Sequence, residues 1–133
     1  MATLGTMIKS AQICAAARGE AFDLVRLIET HRFDLSDEKT TQAEIAQMLA
    51  AARLAYRREV NLGDGDIVDF MVGDIAVEVK IKGSRLAIFR QCERYCNRTA
   101  VAALVLATNV AMNLPLHILG VRVHVASLGR GWL

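Results

Sequence analysis

Asp69, Glu78 and Lys80 have the types and spacing for chemistry on a phosphate. They fall within Asp66 to Lys82, where two β-type runs rich in Val, Ile and Phe flank Gly73-Asp74. A Gly-Asp pair between such runs signals a two-residue hairpin, because Gly adopts the positive φ of the tight primed turns. With Gly73 and Asp74 as the loop, Val72 faces Ile75 and opposed positions sum to 147, so Asp69 faces Glu78 and Ile67 faces Lys80. Alternation then gives Val68, Phe70, Val72, Ile75, Val77, Val79 and Ile81 one apolar core face. The other face collects Asp69, Glu78 and Lys80, with Ile67, Met71, Ala76 and Lys82 around them.

Two opposed carboxylates repel by a few tenths to about 1 kcal/mol. A divalent cation offsets that repulsion, since hard ions such as Mg²⁺ take carboxylate oxygens and keep waters in their other positions. An ammonium beside the pair holds an attacking water or balances charge building up on a phosphate. The plainer reading of the same residues is a charged, solvated sheet face.

The elements that must position these groups follow from periodicity. Residues 5 to 31 read as two helices broken near Arg18-Gly19, the second amphipathic. Phe22, Leu24, Val25, Leu27 and Ile28 fill its apolar half, which needs a partner on this domain or on a second subunit. His31 to Lys39 is a polar connection, and a helix follows from about Thr41 to Leu54, burying Ile45, Met48, Leu49 and Ala52. Tyr56 to Leu62 is a first strand, and Gly63-Asp64-Gly65 turns the chain into the hairpin. Ser84 caps a helix to about Asn97. Val101 to Ala107 is a buried strand, Leu114-Pro115-Leu116 interrupts, and Val121 to Ala126 is the last strand. The order is helix, three strands, helix and two strands, an α/β arrangement behind a helical extension.

Asp69, then Glu78-Val79-Lys80 on the next strand of a hairpin, resembles the PD-(D/E)XK signature of the restriction-endonuclease-like nuclease superfamily. Val68 stands where the signature has its proline, and the resemblance spans about residues 41 to 126. It implies a restriction-endonuclease-like core, a mixed sheet flanked by helices, over 39–133, with 1–38 as the helical extension. It also implies Mg²⁺ or Mn²⁺ held by Asp69, Glu78 and the Val79 carbonyl, Lys80 orienting water or stabilising the transition state, and DNA as substrate. Small stand-alone members such as junction resolvases and phage or mobile-element nucleases are the nearest in size.

In that superfamily an acidic residue on the helix before the first strand often completes the metal site, which here implies Glu44. Thr41-Gln42-Ala43-Glu44 also fits a capping box, with Glu44 reaching back to the Thr41 amide. Both readings stand on the sequence, and Glu59 is a weaker substitute. Gln91 and Tyr95 resemble the Gln-x-x-x-Tyr motif of one branch, in which the Gln orders the site and the substrate. That implies a catalytic role for Gln91 and a substrate contact for Tyr95, against a structural role for a half-buried Tyr95. Arg90, Arg94 and Arg98 form a basic stripe on the same helix, with Lys82 and Arg85 at its approach. Such a stripe holds nucleic-acid phosphates or is a solvated helix face. Asp64, Asp66 and Asp74 read as turn residues.

At 133 residues, 53% hydrophobic and with one proline, the chain is a single ordered domain. A net charge of +2 does not by itself mark a nucleic-acid binder. Cys14, Cys92 and Cys96 form neither a disulfide framework nor a four-cysteine cluster site, and Cys92 and Cys96 read as buried thiols. No apolar run reaches spanning length, so a soluble cytoplasmic protein is expected. The activity expected is that of a metal-dependent deoxyribonuclease, as a homodimer if both strands are cut. The alternatives are an inactive nucleic-acid-binding or assembly module of the same fold, and a protein-interaction module organised by the N-terminal helices.

Overall fold

The structure, a computed structural model, describes residues 20–130. Its elements are α1 (20–30), α2 (Glu38–Ala51), β1 (Arg57–Asn61), β2 (Ile67–Val72), β3 (Ile75–Lys80), α3 (Arg85–Cys96), β4 (Ala103–Thr108), β5 (His117–Ile118) and β6 (Val121–Ser127). The helix expected at the start of the chain, its break near Arg18-Gly19 and Cys14 lie outside the described residues.

The strands form one mixed six-stranded sheet in the order β1-β2-β3-β4-β6-β5. β1, β2 and β3 are an antiparallel meander. β4 runs parallel to both β3 and β6, and a parallel partner needs a crossover, which α3 supplies after β3. All six residues of β4 are buried, as in a strand covered on both faces. The short β5, not anticipated from the sequence, pairs with β6 through a turn at Leu119-Gly120, where φ is 50° and 80°.

Two apolar layers enclose the sheet. On one face Ile28 of α1 and Ile45 and Leu49 of α2 pack with Phe70, Val77 and Val105. On the other, Ile88, Cys92 and Tyr95 of α3 pack with Met71, Ala76 and Leu104. The amphipathic α1 therefore finds its partner on this sheet through Ala21, Leu24, Val25 and Ile28, while Phe22, expected on its apolar half, is 54% exposed. Cys92 and Cys96 are buried free thiols, and burial pushes Cys92 up to about 12. Among the described residues no helix is long and apolar enough to cross a membrane.

α2 begins earlier than its apolar periodicity indicates. Asp37 is the N-cap, its Oδ1 accepting the Thr40 amide at 2.7 Å. Thr41 lies inside the helix, where its hydroxyl reaches the carbonyl oxygens of Asp34 and Asp37. The capping box expected between Thr41 and Glu44 therefore does not form.

The hairpin turn has Gly73 at φ 60°, and its pairs are Val72–Ile75, Met71–Ala76 and Phe70–Val77. This is the expected register, each pair summing to 147.

Candidate active site

The β2–β3 ladder stops at Phe70–Val77, one position before the two acids. There the Asp69 amide donates to Glu78 Oε1 at 3.1 Å and the Val79 amide donates to Asp69 Oδ2 at 2.8 Å. Carboxylate oxygens thus replace the carbonyls that would have continued the ladder, and each acid is fixed by the other's strand. On the opposite edge β1 pairs with β2 at Arg58–Phe70 and Val60–Val68 but skips Glu59–Asp69. Glu59 adopts φ 50°, a left-handed conformation uncommon outside glycine. The backbone is irregular on both sides of Asp69, and β2 changes face there. Val68 packs in the α3 layer and Phe70 in the α1–α2 layer, so the single face expected for Val68, Phe70 and Val72 is broken at the site.

Glu78 is 3% exposed beneath α3, which rules out a solvated sheet face. Burial, followed by the charge of Asp69, raises its carboxyl to about 8. Asp69 is raised too, chiefly by burial, with the charge of Glu38 adding to it. Tyr95, 1% exposed, sets its hydroxyl 2.8 Å from Glu78 Oε2 and 2.8 Å from the Ile67 carbonyl, and accepts Gln91 Nε2 at 2.9 Å. Tyr95 is therefore not available to nucleic acid, contrary to the sequence expectation: it holds Glu78, and the Gln91 amide holds Tyr95.

Lys80 Nζ is 3.9 Å from Glu78 Oε2 and its side chain is 23% exposed. Buried Thr108 fixes this end of β3, donating from Oγ1 to the Lys80 carbonyl at 2.6 Å and accepting the Val110 amide at 3.0 Å. Beyond Lys80 opens a cleft of about 270 Å³ lined by Lys80, Lys82, Gln91 and Arg94 among others. Arg85 and Arg90 are exposed on α3 and do not line it. Arg98 is turned away from the expected stripe, donating through Nε to Asp66 Oδ2 at 3.1 Å and through Nη1 to Asp64 Oδ2 at 3.4 Å. Asp64 and Asp66, read from the sequence as turn residues, thus anchor the turn before β2 to the end of α3.

Glu44 does not join Asp69 and Glu78. Its Oε2 accepts the Asp34 amide at 2.6 Å, and it lines a cavity with Arg32 and Phe33. The acid of α2 that approaches the site is Glu38, whose Oε1 accepts the Ile81 amide at 3.2 Å. Six residues along a helix is about 9 Å of rise and roughly 120° of rotation, so the two glutamates cannot serve one place. The signal for Glu38 was present in Asp37-Glu38, a capping residue followed by an acid in the first turn.

No family model, curated protein or solved structure matches the chain. Among the described residues no three His, Cys, Asp or Glu side chains form a group that could hold a metal ion; Asp69 and Glu78 are the two acids that the strands bring together at this point. Their hard oxygens suit Mg²⁺ or Mn²⁺. Since N–H and C=O of an extended residue face the same edge, the Val79 carbonyl faces the same gap as its amide. Burial disfavours the charged form of both acids, and a divalent ion would favour it.

Proposed function

We propose that the protein is a metal-dependent nuclease that hydrolyses phosphodiester bonds in DNA, built on a restriction-endonuclease-like core. The observation that carries this reading is the pair Asp69 and Glu78, set against each other where β2 and β3 separate, with the Lys80 ammonium 3.9 Å from Glu78. A surface ion pair has no use for a carboxylate buried under a helix, whereas a cation site does. The order of a helix, an antiparallel hairpin, a crossover helix and a parallel strand supports the core assignment.

Asp69, Glu78 and the Val79 carbonyl would hold Mg²⁺ or Mn²⁺. When bound, such an ion supplies positive charge to a phosphate oxygen and acidifies water. Glu78 would serve as a ligand in its ionised form, and the Tyr95 hydroxyl, donating to Oε2, would keep that carboxylate oriented. Lys80 sets its ammonium against charge that develops on the phosphate. Lys82 and Arg94, lining the same cleft, hold flanking phosphates.

The test is cleavage of labelled duplex, flap, four-way junction and single-stranded DNA with Mg²⁺, Mn²⁺ or chelator, by the wild type and Lys80→Ala. The expected outcome is metal-dependent cutting that falls about a hundredfold or more in the variant, with DNA binding retained. Binding without cutting of any substrate, unchanged by Lys80→Ala, would leave a non-cleaving nucleic-acid-binding module instead.

A further inference from the structure

Asp66, at the threshold of β2, divides its two oxygens between two arginines. Oδ2 takes Arg98 through Nε and Nη2, and Oδ1 lies 3.4 Å from Arg94 Nε. Arg98 is also paired with Asp64 and its side chain is 24% exposed, so its charge is spent within the fold. Arg94 differs: its side chain is 56% exposed, its one ion pair among the described residues runs through Nε, and it lines the cleft beside Lys80 and Lys82. A guanidinium held by Nε keeps Nη1 and Nη2 for a ligand, and that planar fork matches two phosphate oxygens.

We propose that Asp66 is a positioning residue for the substrate, holding Arg94 by Nε so that its terminal nitrogens grip a DNA phosphate in the cleft beside Lys80. This rests on the nuclease reading and goes beyond it by assigning how the flanking phosphate is held. Arg98 makes the arrangement workable. It neutralises Asp66, so a carboxylate can stand at the edge of a phosphate path, and it fixes that carboxylate to the end of α3.

The proposal reverses the sign that simple electrostatics gives. Removing a negative charge near DNA should tighten binding, whereas releasing Arg94 should weaken it. Binding of fluorescently labelled duplex and single-stranded DNA, measured in chelator over a salt series, decides between them. Asp66→Asn is expected to raise Kd about fivefold and to reduce the salt slope by about one, as loss of one phosphate contact does. Arg94→Ala should do the same, and the double variant should be no worse than Arg94→Ala alone. Binding by Asp66→Asn equal to or tighter than wild type, or additive losses in the double variant, would overturn the proposal. Should Asp66→Asn melt below the assay temperature, Arg94→Lys carries the test. An ammonium keeps the charge without the fork and should bind nearly as weakly as Arg94→Ala, so wild-type affinity in Arg94→Lys would count against the idea. DNA binding that needs Lys82 but neither Asp66 nor Arg94 would sink this inference alone. No binding of any DNA by the wild type would remove the nuclease reading together with it.

Discussion

Tyr95 Oη and Glu78 Oε2 are 2.8 Å apart in the layer between α3 and the sheet, and one proton cannot serve every contact the hydroxyl makes. Tyr95 also stands 2.8 Å from the Ile67 carbonyl, a second acceptor, and receives Gln91 Nε2. A phenol has a single hydrogen to donate. All three contacts are satisfied together when Glu78 is protonated and donates to Oη while Oη donates to Ile67. When Glu78 is ionised, the phenol hydrogen must leave Ile67 for the carboxylate. Burial raises the Tyr95 pKa, so the hydroxyl keeps its hydrogen throughout.

The first prediction is that Tyr95→Phe, which keeps the ring and removes the hydroxyl, lowers stability by about 1–3 kcal/mol. The Ile67 carbonyl and Glu78 both lose a buried partner, and an unsatisfied buried polar group costs about that much. Urea unfolding of the two proteins measures it. A variant as stable as the wild type would mean that water or Gln91 replaces the hydroxyl.

Glu78 also sets a pH dependence. Its folded pKa of about 8 lies above its ordinary value of 4.5, so the folded state holds the proton more tightly than the unfolded one. Stability is then complete below about pH 4.5, falls as pH rises toward 8, and is flat above it. Asp69, raised in the same direction, adds to the trend. At about 1.4 kcal/mol per unit, the loss is on the order of a few kcal/mol. Urea unfolding in chelator at about pH 5 and about pH 8 reads it directly. Glu78→Gln should flatten the profile and be the more stable protein at the higher pH. A wild type equally stable at both would show that the pair ionises freely.

The register of the hairpin was legible because Gly73-Asp74 leaves one two-residue loop, and every observed β2–β3 pair obeys it. The break at Asp69 was not, because it arises when side-chain oxygens displace backbone acceptors, and period-two patterning carries no trace of that. The start of α2 was missed because Ser36-Asp37-Glu38 reads as polar connection until Asp37 is recognised as a cap. Asp66 with Arg98 and Glu38 with Ile81 are 32 and 43 residues apart, so no local pattern announces either pair. Arg94 and Arg98 look equivalent at helical spacing, but only the ion pairs tell the exposed cation from the neutralised one.

Glu38 and Glu44 make a paired prediction. Glu38→Gln removes a charge that acts on Asp69 and weakens the hold on Ile81 next to Lys80. The metal concentration for half-maximal cleavage should shift by about tenfold, as for groups that support metal ligands. Glu44→Ala should leave that concentration unchanged and cost about 1 kcal/mol of stability through the Asp34 amide. Metal titrations of cleavage together with melting curves separate the two. The reverse pattern would restore Glu44 to the site.

Thr108 offers the last prediction, since it touches Lys80 through the backbone alone. Its hydroxyl is 2.6 Å from the Lys80 carbonyl, and its own carbonyl accepts the Leu128 amide at 3.0 Å, which ties the ends of β3 and β4 to the residue after β6. Thr108→Val keeps the branched shape and leaves the Lys80 carbonyl and the Val110 amide without their partner, at a cost of about 1–3 kcal/mol. The loosened strand end should also lower the cleavage rate several-fold, roughly 1 kcal/mol of lost positioning, with little change in DNA affinity. Thr108→Ser restores the hydroxyl and should recover most of the rate. If Thr108→Val lost stability but cleaved at the wild-type rate, Lys80 would be positioned by its contact with Glu78 alone. Equal losses in the Val and Ser variants would instead show that the hydroxyl alone does not account for the effect.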